Sequence, residues 1–104
     1  MMKGKTKTEK PSLGTITRDG ILAAMAEFDE LGRDAFLKKH GYGRSARFVV
    51  KYRRRSYDSK AIVGVAYGHT HGVPPLSSGA FSGGAATVQR VLDRLKFGME
   101  VSDT

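Results

Sequence analysis

Arg47-Phe48-Val49-Val50-Lys51-Tyr52-Arg53-Arg54-Arg55-Ser56-Tyr57-Asp58-Ser59-Lys60-Ala61-Ile62 contains the change of period on which the fold turns. Phe48, Val50 and Tyr52 alternate with Arg47, Val49 and Lys51, the period of two that marks a half-buried strand. Three arginines then separate that strand from a short extended segment at Ser56-Tyr57, which reads as a β-hairpin with an arginine-rich tip. No glycine marks the turn. Beyond it, Asp58 or Ser59 can cap a helix from Lys60 to about Gly68. The near-continuous run Ala61-Ile62-Val63-Gly64-Val65-Ala66-Tyr67 suits a helix packed on more than one side, although a buried strand would read similarly.

Toward the N-terminus, Thr17 is placed to cap a helix over about 18 to 31, whose Ile21, Leu22, Met25, Phe28 and Leu31 recur at three- and four-residue steps. Gly32 ends it, and Asp34 to His40 forms a shorter helix that stops at the turn Gly41-Tyr42-Gly43. Toward the C-terminus, His69 to Gly79 reads as a loop, because two prolines and two further glycines break both regular periods. Phe81-Ser82-Gly83-Gly84 opens a last helix with Val88, Val91, Leu92 and Leu95 on one face, and Phe97 to Val101 returns as a strand. The chain is therefore expected to be α+β, about four helices packed on a small three-stranded antiparallel sheet in the order α-α-β-β-α-α-β. Residues 16–101 would form one domain, with a basic flexible tail at 1–15 and a short tail at 102–104.

A chain of 104 residues suits one domain with one modest core. Its 18 Lys and Arg against 10 Asp and Glu give a formal charge of +8, which suits a polyanionic partner, with an anionic membrane as the weaker fit. The absence of cysteine removes disulfides and thiolate metal sites, and no apolar run is long enough to span a bilayer. The first ten residues lack the apolar stretch of a secretory signal, so the cytoplasm is the expected location.

Arg53, Arg54 and Arg55, flanked by Lys51 and Arg47, put up to five cations on one hairpin, a shape that can lie along a phosphate backbone or enter a minor groove. Arg44 sits close by in sequence. Ser82-Gly83-Gly84 can offer backbone N–H groups and a hydroxyl to a phosphate at a helix start, and equally can serve as an ordinary cap. Lys60 beside Ser59 offers a second phosphate contact or a pairing with Asp58. Arg90 and Arg94, one turn apart, read as ordinary solubilising residues. His69-Thr70-His71 falls short of a zinc pattern for want of a matched third ligand. Asp58-Ser59-Lys60 matches the acid-x-lysine fragment of metal-dependent nucleases but has no second carboxylate on a neighbouring strand. No catalytic residue, metal or cofactor is expected.

Leu31-Gly32-Arg33-Asp34-Ala35-Phe36-Leu37, Tyr57-Asp58-Ser59-Lys60-Ala61-Ile62 with Gly64 and Ala66, Phe81-Ser82-Gly83-Gly84 and Thr87-Val88 together resemble the N-terminal head domain of Streptomyces McrA-like type IV restriction endonucleases. The resemblance covers roughly residues 17 to 101. In that family the head precedes separate parts that recognise modified or phosphorothioate DNA and an HNH nuclease that cuts it. The resemblance implies a DNA-associated setting, with recognition of the modification and cleavage belonging to parts outside the resembling stretch. The expected function is a non-enzymatic DNA-binding module in a restriction-type system. The alternatives are a protein-interaction module that partners a separately encoded nuclease and, third, a metal-dependent nuclease using Asp58 and Lys60. The sequence leaves oligomeric state and the choice between DNA and RNA open.

Overall fold

The computed structural model describes residues 13–43, 48–77 and 85–101. Its centre is β1 (Phe48–Tyr52), flanked by β2 (Arg55–Asp58) and β3 (Gly98–Val101), both antiparallel to it in the order β2-β1-β3. The four helices are α1 (Arg18–Leu31), α2 (Arg33–His40), α3 (Ser59–His71) and α4 (Ala85–Arg94). The α+β class, the four helices, the three-stranded sheet and the element order are those the residue periods imply.

Helix α1 begins where expected, because the Thr17 hydroxyl accepts the Gly20 N–H at 3.0 Å and satisfies one of the orphan donors of the first turn. Its apolar stripe packs on α3, the most apolar helix, whose Ala61, Ile62, Val63, Val65 and Ala66 are all buried. The two axes approach closely at Gly20, where a Cβ would stand 2.9 Å from the Ala66 carbonyl and collide with the Thr70 hydroxyl. The second close approach is at Gly64, against which the Tyr42 ring lies while its hydroxyl donates to the Leu76 carbonyl at 2.7 Å. Burial of that hydroxyl raises the Tyr42 pKa well above the ordinary phenol value. Val50 and Tyr57 from the sheet, Phe28 and Phe36 from α1 and α2, and Val88, Val91 and Leu92 from α4 complete the core.

Two expectations require correction. Asp58 stands at the N-cap position of α3 but makes no capping bond, and the Ser59 hydroxyl donates to the Phe48 carbonyl at 3.0 Å rather than capping. Asp58 is diverted by Arg33, whose Nε and Nη2 donate to its two carboxylate oxygens at 2.9 and 3.0 Å. A charged, two-pronged hydrogen bond outcompetes a neutral backbone N–H for the same oxygens. Helix α3 also continues through His69, Thr70 and His71, where the nearby prolines and glycines imply a loop. It ends only at Gly72, in the left-handed conformation at φ 67°, and Val73 N–H returns to the Gly68 carbonyl at 3.1 Å. Tertiary bonds hold this last turn, since Thr70 accepts the Thr17 N–H and His71 lies 2.7 Å from the Thr15 hydroxyl. Of the expected tail at 1–15, Leu13–Thr15 form a short 3-10 helix closed by the Ile16 N–H on the Leu13 carbonyl at 3.2 Å, while residues 1–12, the tail at 102–104, the end of the expected loop at 78–79 and the opening Phe81-Ser82-Gly83-Gly84 lie outside the described residues.

Candidate nucleic-acid interface

The hairpin closes with Tyr52 opposite Arg55, so Arg53 and Arg54 alone form the connection. Both are left-handed, at φ 51° and 68°. A two-residue turn that matches the twist of its strands demands positive φ at both positions, which Asn-Gly supplies at little cost and Arg-Arg supplies under strain. Both arginines are exposed and, among the described residues, neither pairs with a carboxylate. The Arg53 guanidinium stands 5.2 Å from the Tyr52 ring centroid.

The remaining sequence-derived candidates fall in different places. Arg55 donates to Asp29 at 3.2 Å, and the other oxygen of Asp29 accepts the Tyr57 hydroxyl at 3.0 Å. Burial first, then that carboxylate, pushes the Tyr57 phenol up to about 12. Lys51 is exposed but alternates with Tyr52, so it leaves the opposite face of the sheet, between Ser56 and Gly98 in register. Lys60 is half-buried in the first turn of α3. Arg44, Arg47, Ser82, Gly83 and Gly84 lie outside the described residues. Arg90 is exposed, and Arg94 donates to the Ile16 carbonyl at 2.8 Å, tying α4 to the segment before α1.

Two further cations, Arg18 and Lys96, flank the end of β1 that carries the hairpin: Arg18 reaches the Tyr52 ring, and Lys96 directly precedes Phe97, whose ring packs on Tyr52. Arg18 donates to the Leu95 carbonyl at 2.6 Å, and its guanidinium lies 4.4 Å from the Phe97 ring centroid and 6.0 Å from that of Tyr52. Tyr52 is thus flanked by guanidinium groups from Arg18 and Arg53. Lys96 follows α4 at φ 70°. Phe97 N–H bonds to the Leu92 carbonyl and Lys96 N–H to that of Asp93, at 2.8 and 3.0 Å, so Lys96 occupies the position where a helix usually ends in glycine. Each had a signal in the sequence. Arg18 is a cation at a helix start, the wrong sign for the dipole, and Lys96 stands where the helical stripe ends without a glycine.

Elsewhere, Glu27 gathers Lys39 Nζ at 2.7 Å, His40 Nε2 at 2.9 Å and His69 Nε2 at 3.4 Å beside an open cleft of about 350 Å³. Burial pushes this carboxyl up, but the hydrogen bonds from Lys39, His40 and His69 and the charge of His40 outweigh it and hold the pKa at about 2. Among the described residues no three His, Cys, Asp or Glu side chains are disposed to hold a metal ion. His71 faces the Tyr67 ring at 4.6 Å between centroids, away from this cluster's carboxylate. No helix of the described residues is long and apolar enough to cross a membrane.

The family model described as "ScoMcrA-like, N-terminal head domain" matches residues 14–101. A solved structure, that of the type IV phosphorothioation-dependent restriction endonuclease ScoMcrA, is similar over 86% of this chain at 31% identity and a TM-score of 0.63. The chain spans 14% of the length of that endonuclease. No curated protein matches it. Fold, element order and a match over nearly the whole described chain agree, and the chain belongs to the ScoMcrA-like N-terminal head domain family.

Proposed function

We propose that this domain is a non-enzymatic DNA-binding module of a restriction-type system, working in the cytoplasm, and that its hairpin tip contacts the phosphate backbone. The observation that carries the reading is the pair Arg53 and Arg54, exposed, without a carboxylate partner among the described residues, and held in a backbone conformation that arginine adopts only at a cost. A turn selected for stability alone would be Asn-Gly. Two guanidinium groups at the apex of a narrow ribbon, on a chain of formal charge +8, meet the requirements of phosphate contact. Membership in a head-domain family whose solved relative is a restriction endonuclease supplies the setting. The phosphorothioation dependence of that endonuclease belongs to the whole protein, of which the matched part is a small share.

The nuclease reading loses its metal-holding carboxylate, because both oxygens of Asp58 are engaged by Arg33 and the side chain is buried. Fluorescence anisotropy with labelled duplex, single-stranded and phosphorothioate DNA across a salt series tests the proposal. The native chain should bind with an affinity that falls as salt rises, and Arg53/Arg54/Arg55→Ala should lose binding and part of the salt slope. Absence of DNA binding at low salt would refute it and leave a protein partner, such as a separately encoded nuclease, as the reading.

A further inference from the structure

Three non-glycine residues among those described have positive φ, and all three are basic: Arg53, Arg54 and Lys96. They also lie at one end of the sheet. Lys51 is registered with Gly98, so continuing the antiparallel ladder sets Phe97 opposite Tyr52, as their rings confirm at 5.5 Å between centroids. Lys96, the residue before Phe97, therefore stands at the same end of the sheet as the hairpin turn, on the β3 side of β1. Arg18 fastens this junction by bonding to the Leu95 carbonyl while its guanidinium covers Phe97 and reaches toward Tyr52.

A cation just past a helix C-terminus is ordinary, because it meets the negative end of the dipole. That accounts for the charge of Lys96 but not for its backbone. The equivalent position after α2 is Gly41, which makes the same pair of bonds, Tyr42 N–H to Leu37 and Gly41 N–H to Lys38, at φ 77°. The same chain therefore uses glycine for this turn where no other demand acts. Lys96 is exposed, and neither it nor Arg18 forms an ion pair among the described residues, although Asp93 and Asp19 are close in sequence.

We propose that the DNA contact continues from the hairpin tip onto the α4–β3 turn, with Lys96 beside Arg53 and Arg54 gripping one phosphodiester backbone. This rests on the tip binding DNA. Duplex DNA carries a phosphate for about each 3.4 Å of axis on each strand, so long basic side chains from two neighbouring turns at one end of a sheet can meet phosphates of the same strand. The contact is to backbone oxygens and carries no base preference of its own. Arg18 is a positioning residue that holds turn and tip together.

The test measures duplex DNA binding of the full chain by anisotropy from 0.05 to 0.3 M salt (roughly the range over which such slopes are read), alongside thermal unfolding. Lys96→Gly suits the left-handed position and should unfold at or above the native temperature. It should bind about eightfold more weakly near 0.1 M salt, with the log–log slope smaller by about 0.9, the value of one lost phosphate contact. Lys96→Arg should keep both affinity and slope. If Lys96→Gly binds as the native chain does while Arg53→Asn/Arg54→Gly binds weakly, the extension onto the turn is wrong and the tip contact stands. If Lys96→Arg weakens binding as much as Lys96→Gly, charge at this turn is not what DNA reads, and the proposal fails. If the native chain binds no duplex, the tip reading and this extension fall together.

Discussion

Replacing Arg53-Arg54 by Asn-Gly should make the domain more stable and a poorer DNA binder at once. Both positions are left-handed, and an ordinary L-residue there costs about 1 kcal/mol that asparagine and glycine largely avoid. Two opposing terms reduce the gain. Losing the exposed Arg53–Tyr52 ring contact costs about 0.5 kcal/mol, and glycine at position 54 costs a similar amount through the freedom it gives the unfolded chain. A net gain of about 1 kcal/mol remains, which for a domain of this size raises Tm by roughly 4 to 8 °C. Binding moves the other way. If both guanidinium groups neutralise phosphates, the salt slope falls by about 1.8 and affinity near 0.1 M salt falls about sixtyfold. Differential scanning calorimetry and anisotropy on the same preparation read the two effects. A lower Tm would refute the account of the turn, and a raised Tm with unchanged affinity would refute the role of the tip.

Three further outcomes follow from the packing. Gly64→Ala should destabilise by about 1 to 3 kcal/mol, because its new methyl meets the buried Tyr42 hydroxyl, and urea unfolding reads the loss. Arg33→Ala should cost more than Asp58→Ala in the same assay. The first leaves a carboxylate buried at 6% exposure without its partner, and the second leaves a guanidinium that is 39% exposed and can reach water. Glu27 ionises at about 2 when folded against 4.5 in an unfolded chain, so its stabilisation is complete above about pH 4.5 and fades as pH falls toward 2. That window bounds the effect at about 3 kcal/mol, and Glu27→Gln should flatten the acid limb of stability against pH in denaturant titrations.

The parts of the fold legible in the sequence are those that rest on local period and local capping. Thr17 and Gly20 close a cap within one turn, and the alternation of Phe48, Val50 and Tyr52 needs only a strand with one buried face. What escaped the sequence depends on partners far along the chain. Asp58 reads as a helix cap until Arg33, 25 residues earlier, takes both of its oxygens. His69 to His71 read as loop because the following prolines break the period, yet bonds from Thr15 and Thr17 keep them helical. The site divides in the same way. The arginine run and its turn are visible locally, whereas the diversion of Arg55 to Asp29, the placement of Lys51 on the other face, the arrival of Arg18 at Tyr52 and the position of Lys96 at the same end of the sheet are set by tertiary packing and register.

The most direct test of the central claim is a ¹⁵N-edited NMR titration of the full chain with a short duplex. The account predicts that amide and guanidinium resonances of Arg53 and Arg54 shift first and most, accompanied by Tyr52 and the α4–β3 turn, with the α2 surface and the Glu27 cleft unmoved. Shifts centred on the Glu27 cleft or the outer sheet face at Lys51, with the tip silent, would contradict it.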